Sequence, residues 1–228
     1  MLAGDSVDDW QNQIFASGQL IAGDIGKAQL RRELDKASLI FDALVPHLQT
    51  FPSRVQERLA LPGVEHPLEG GIDNLYGDAL VDYRTGQLRK RQLMEMWIRQ
   101  LFVNATGRPV RTISVAAHRN GKSVDTTIIL PVSREDAVVE LAKLVDLYNK
   151  GMQAPLPFLP ETSFAYAEAL ATANEDSARQ AALAEWLRES RDREYARLYH
   201  FPADFTTEFQ NLSREICEPI MRHWGPLK

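Results

Sequence analysis

The chain has 228 residues, 44% of them hydrophobic and 25% charged, with a formal net charge of −5 at pH 7. That length is enough to bury a sizeable core, and the composition is that of an ordinary soluble globular protein. A single cysteine, Cys217, excludes an internal disulfide and points to a reducing compartment. No apolar run approaches the ~18 residues of a membrane span and no signal-peptide pattern opens the chain, so the expected location is the cytoplasm.

The net charge taken alone argues against a nucleic-acid partner; its distribution does not. Between Arg84 and Lys122 stand nine basic side chains and one acid, Glu95, a local +8 that leaves −13 for the remainder. Such asymmetry is compatible with one anion-facing patch on an acidic body, and equally with solvated helix and hairpin faces.

In chain order, Asp8 to Ser17 reads as a short helix with Trp10, Ile14 and Phe15 inward. After a glycine-bounded break, Asp24 is placed to cap a long helix reaching about Pro46, with Leu30, Leu34, Ala37, Phe41 and Leu44 as its buried face. Arg54 to Leu61 predicts a first strand, turned by Pro62-Gly63. A hairpin follows over Gly71–Gly86, then a helix from about Leu88 to Asn104 with Leu93, Met96, Trp97, Leu101 and Phe102 as its apolar stripe. Val110–Ala117 and Ser123–Leu130 read as strands joined through Asn120-Gly121, and Ser133 with Asp136 opens a helix ending near Gly151. Pro155, Pro157 and Pro160 form an extended connector. Beyond it the pattern is helical and acidic, with Trp186, Tyr195, Tyr199, Phe205, Phe209 and Trp224 as anchors. The expected fold is α+β: a small mixed, mostly antiparallel sheet flanked by helices. Residues 1–160 form its core and 161–228 a helical extension.

The hairpin GIDNLYGDALVDYRTG carries the chemistry. A two-residue turn at Gly77-Asp78 sets Leu75 opposite Leu80 and, continued, Asp73 opposite Asp82, with Arg84 on the same face. Opposed carboxylates repel. Either a divalent metal bridges them, since hard cations take oxygen ligands, or the Arg84 guanidinium neutralises them from within. A lysine at that position can shuttle a proton once its pKa is lowered; an arginine stays charged and serves as a clamp.

The run EGGIDNLYGDALVDYRTGQL with RQLMEMWIRQL, together with YNKGMQAPLPFLPETSFAY (Tyr148–Tyr166) and the entry segment SGQLIAGDIG, is similar to the C-terminal domain of RecC, the gamma subunit of exodeoxyribonuclease V. The resemblance covers roughly Trp10 to Tyr166, and the acidic tail matches more weakly. It implies a restriction-endonuclease-like fold of the PD-(D/E)xK type, as in the RecB nuclease domain, within a subunit regarded as nuclease-dead. Active relatives carry G-x-I-D, then D-Y-K, plus an upstream His or Glu on a helix. Asp73 and Asp82 match the two acids, and Arg84 stands where the lysine belongs; neither His47 nor His66 has the helical context. The resemblance further implies a scaffold for RecB and RecD that helps guide DNA strands, and an excised C-terminal domain without the Chi-reading portion. The expected function is therefore a non-catalytic domain with no cofactor and no metal. The rivals are an active Mg²⁺-dependent nuclease and a purely structural module without DNA contact.

Arg89, Lys90, Arg91, Arg119 and Lys122 are the candidate DNA contacts. Three cations in succession at the positive end of a helix are locally unfavourable and call for an anionic neighbour. The run Asn120-Gly121-Lys122-Ser123 is not a phosphate loop, because Ala116 stands where glycine is needed and β-branched residues follow. The five histidines have no ligand spacing, and Cys217 reads as a core thiol.

Overall fold

The computed structural model describes residues 13–14, 16–18, 20–21 and 23–227. Most of the helix expected over Asp8–Ser17, with Trp10 and Phe15, lies outside the described residues. Among them are six strands in the spatial order β1-β2-β3-β4-β5-β6, that is Ser53–Leu59, Leu68–Tyr76, Ala79–Arg84, Arg111–Ala117, Val124–Ile129 and Trp224–Pro226. Every pairing is antiparallel except β3 with β4. Among the described residues, seven α-helices accompany the sheet from Asp24 onward: α1 (Asp24–Leu44), α2 (Lys90–Ala105), α3 (Arg134–Gly151), α4 (Pro160–Thr172), α5 (Glu175–Glu189), α6 (Arg193–Leu198) and α7 (Thr207–His223). The expected α+β class, mixed and mostly antiparallel, is what the chain adopts.

Alternation along β3 and β4 divides the molecule into layers. Val81, Ile113 and Val115 pack on one face against Ile40 and Leu44 of α1. Leu80 faces the other way and joins Phe102 and Val103 of α2. Beyond them, Trp97 and Leu101 of α2 meet Leu141 of α3, Phe164 of α4 and Cys217 and Ile220 of α7 in the largest cluster. The α2 stripe is buried as its spacing predicts.

Local chemistry explains the boundaries. Ser133 caps α3 by accepting from the Asp136 N–H, as expected. Pro62-Gly63 makes a turn with Gly63 at φ 74° and Val64 N–H bonded to Leu61 O at 3.2 Å. At α1, Gly23 rather than Asp24 occupies the cap, and Asp24 is the first helical residue, its charge at the positive end. On α1, Leu30 and Leu44 are buried as expected, but Ile40 takes the place expected for Phe41. Ile40 is 3% exposed whereas Phe41 is 60% exposed; neighbouring helical residues differ by about 100°, and the share of α1 in the sheet cluster is Ile40, Ala43 and Leu44.

The acidic tail is helical, with Trp186 and Phe209 buried, but it ends in a strand that its sequence did not suggest. Trp224, Gly225 and Pro226 pair with Ile129, Ile128 and Thr127, so the last residues return to the edge of the core sheet.

Candidate functional site

The turn of the β2–β3 hairpin forms as expected: Tyr76 pairs with Ala79 and Leu75 with Leu80. Gly77 takes φ 61° while Asp78 stays at negative φ, the combination of a type II′ turn. Asp78 fastens the turn to the start of β4, its carbonyl accepting from the Arg111 N–H at 3.1 Å and its carboxylate facing Arg111 at 3.4 Å.

Past Leu75 the expected register fails. On β1, Ser53 pairs with Leu75 but Val55 with Ile72, so two residues of β1 advance against three of β2. The extra residue in β2 is a bulge, and a bulge resets the alternation. Ile72 and Leu75, three positions apart, consequently pack into one cluster with Val55, Leu80 and Phe102. Asp73 turns to the opposite face of the sheet. There its carboxylate meets Arg54 Nε at 3.1 Å and is 74% exposed. The β2–β3 ladder ends at this point, where Asn74 Nδ2 donates to Val81 O at 2.9 Å.

Asp82 follows Leu80 on the α2 face, its side chain 19% exposed. The shared face expected for Asp73, Asp82 and Arg84 is therefore corrected: only Asp82 and Arg84 share it. Arg84 Nη2 lies 3.5 Å from Asp82 Oδ2 and 3.6 Å from Glu95 Oε2 on α2; Arg91 Nε is 3.6 Å from the other Glu95 oxygen. The second acid of the clamp is Glu95, and the row Asp82–Arg84–Glu95–Arg91 alternates in charge. Asp82 Oδ1 also accepts from the Tyr83 N–H at 3.0 Å. Across the parallel ladder stands Ser114, 1% exposed.

These residues do not fit a divalent metal, because one carboxylate of the expected pair faces away and a guanidinium lies against the other. Among the described residues no group of three or more His, Cys, Asp or Glu is arranged for a metal. Cys217 is buried in the core, and burial pushes its thiol pKa well above the ordinary value.

The nine cations from Arg84 to Lys122 separate into two sets. Arg84, Lys90, Arg91 and Arg111 are neutralised by carboxylates of this chain. Arg89, Arg99, Arg108, Arg119 and Lys122 are exposed and make no ion pair among the described residues. The anionic neighbour required by the cationic start of α2 lies within the chain. Glu161 accepts from the Lys90 backbone N–H at 2.9 Å, and the Lys90 ammonium pairs with Glu168 while lying 4.1 Å from the centre of the Trp224 ring. Lys90 is thus a strut between α2, α4 and β6.

Glu161 itself stands in a chain of caps. Glu189, at the end of α5, accepts from the N–H groups of Glu161 and Thr162 at 3.3 and 2.9 Å and from the Thr162 hydroxyl at 2.7 Å. Desolvation, and then the nearby Glu189 charge, raise the Glu161 pKa against the lowering effect of the Lys90 hydrogen bond. Sequence reading missed Glu161, Glu168 and Arg54 because their partners are remote in sequence. Glu95 alone had a local signal, its position four residues after Arg91.

The structure thus defines a mixed α+β domain whose central polar residues are tied into ion pairs and whose unpaired cations lie outside that network. Residues 1–171, out of 228, match the family model described as the RecC C-terminal domain, and the chain belongs to that family. It is similar to the RecBCD enzyme subunit RecC of Mycolicibacterium smegmatis, 32% identical over 103 residues that make up 45% of this chain and 9% of the relative. It is also similar to the RecBCD enzyme subunit RecC of Escherichia coli, 26% identical over 162 residues, 71% of this chain and 14% of the relative. The chain therefore matches only a small part of the length of these curated relatives. No described helix is long and apolar enough to cross a membrane.

Proposed function

We propose that this chain is a non-catalytic, nuclease-like domain of a RecC subunit, which scaffolds assembly with RecB and RecD and guides DNA strands during double-strand break repair. In this reading residues 1–160 form a restriction-endonuclease-like core and 161–228 its helical extension. Asp73, Asp82 and Arg84 occupy the degenerate nuclease positions. The cytoplasm is the matching location.

One observation carries the non-catalytic part: the β2 bulge turns Asp73 to Arg54 on one face of the sheet, while Asp82 stays with Arg84 on the other. Phosphodiester cleavage by a PD-(D/E)xK site needs both carboxylates on one cation and a group able to give up a proton. An arginine at position 84 serves as a clamp and not in that role. Membership in the RecC family supports the assembly and the DNA partner.

Incubating the chain with Mg²⁺ or Mn²⁺ and single-stranded DNA tests this reading. No cleavage above a metal-free control is expected. Cleavage that disappears in Asp82→Ala overturns it in favour of an active nuclease.

A further inference from the structure

We propose that the free edge of β3 beyond the hairpin docks an extended segment of a partner subunit, which adds to the sheet as a further strand and sets a carboxylate against Arg99. The inference rests on the scaffolding part of the function proposed above and gives it a place.

The two sides of β3 differ. Along its whole length, Ala79 to Arg84, it pairs with Arg111–Ala116 of β4. On the other side it pairs with β2 only at Ala79 and Leu80. Beyond that point β2 turns toward α2, where a Cβ on Gly70 would lie 3.2 Å from the Phe102 ring. The Val81 carbonyl faces the β2 side, since it accepts from Asn74 Nδ2 at 2.9 Å. Tyr83, two residues on, presents its backbone the same way. Its N–H is held at 3.0 Å by the carboxylate of the preceding Asp82. Side chains thus make the bonds that a neighbouring strand makes elsewhere in the sheet.

Open grooves flank this edge. One, of ≈ 390 Å³, is lined by Asn74, Asp82, Tyr83 and Arg99; the other, of ≈ 370 Å³, by Tyr83, Arg84 and Gln92. Tyr83 lines both and is 63% exposed, an apolar ring for a side chain of the incoming strand. At Gly86 a Cβ would meet nothing within 4 Å, so the strand has room to leave.

The chemistry selects the occupant. A strand edge offers alternating N–H and C=O groups, which an extended polypeptide matches and a phosphate backbone does not. Of the charged side chains in the two grooves, Asp73, Asp82 and Arg84 are paired within the chain. Arg99 is exposed and makes no ion pair among the described residues. The charge left to satisfy is therefore one cation on the helix wall, and a carboxylate on the segment satisfies it.

Hydrogen exchange tests the edge, and charge reversal tests the cation. Exchange at the Tyr83 amide is measured in the 228-residue chain alone and assembled with RecB and RecD. Assembly is expected to slow it by about tenfold or more. Arg99→Glu is expected to weaken assembly on the order of tenfold, and Arg108→Glu, at an exposed cation outside the grooves, to leave it unchanged. An assembled chain whose Tyr83 exchange is unaltered overturns the proposal while the scaffold stands, and so does an Arg99→Glu chain that assembles as the unaltered one does. No assembly at all brings down the scaffold and the docking edge together. Slowing that requires added DNA, or that follows the concentration of the chain alone, gives the edge to another occupant and overturns the proposal.

Discussion

Asp73 and Asp82 belong to the same hairpin but occupy different environments. Asp73 sits on the ribbon formed by β1 and β2, on an exposed face where Arg54–Asp73 and Arg58–Glu69 pair across the strands in water. Asp82 sits where the sheet is covered by α2, and its cation Arg84 is shared with a helix residue. Exposed pairs are screened and cost side-chain entropy; partly buried pairs have fewer alternatives, because a lone charge there is poorly solvated. Neighbouring acids of one motif thus play different roles: one decorates a surface, the other joins two layers.

Truncations on either side of the sheet test this contrast. The largest loss is expected from Leu101→Ala in the helix over the Asp82 side, a residue 0% exposed; about 3 kcal/mol should disappear from the unfolding free energy measured in urea. Arg84→Ala should cost about 2 kcal/mol, since Asp82 and Glu95 are left facing one another without their cation. In a double-mutant cycle the Arg84 and Glu95 substitutions should be non-additive. Asp73→Ala should change stability by less than about 1 kcal/mol. Equal losses from Asp73→Ala and Arg84→Ala would erase the distinction between the two faces.

How much of this was legible depended on how local the cause was. The type II′ turn is written in Gly77 itself, and the α3 cap in Ser133 and Asp136, so both were readable from a few adjacent residues. The stripe of α2 was readable because a helix face repeats along its own sequence. The bulge was not, because it exists only in the register between β1 and β2, and no residue near Asp73 announces it. Glu95 had a local signal in its spacing from Arg91, but its contact with Arg84 depends on how α2 lies against β3. The rotation of Phe41 out of the core and the pairing of Trp224–Pro226 with β5 likewise depend on surfaces assembled from remote parts of the chain.

The smallest expected effect concerns the capping chain at α2. The Glu161 pKa is raised above its ordinary 4.5, with desolvation as the main cause. The folded state therefore holds this proton more tightly than the unfolded chain. Its contribution to stability is greatest below 4.5 and is lost as pH rises through the folded-state pKa. Glu161→Gln keeps an acceptor for the Lys90 N–H and cannot titrate. Its unfolding midpoint should therefore fall less than that of the unaltered chain as pH rises upward from that value. Parallel pH profiles for the two proteins would show that Glu161 titrates alike in both states.

The two margins of the sheet have a further consequence. One is β1, which carries Arg54, Glu57 and Arg58; the other is the three-residue β6, whose last member, Pro226, has no N–H to offer. Neither makes a good template for the strand of another molecule, since charge and a missing donor both discourage edge-to-edge growth. Copies of this domain are thus poorly suited to joining edge to edge through their sheets.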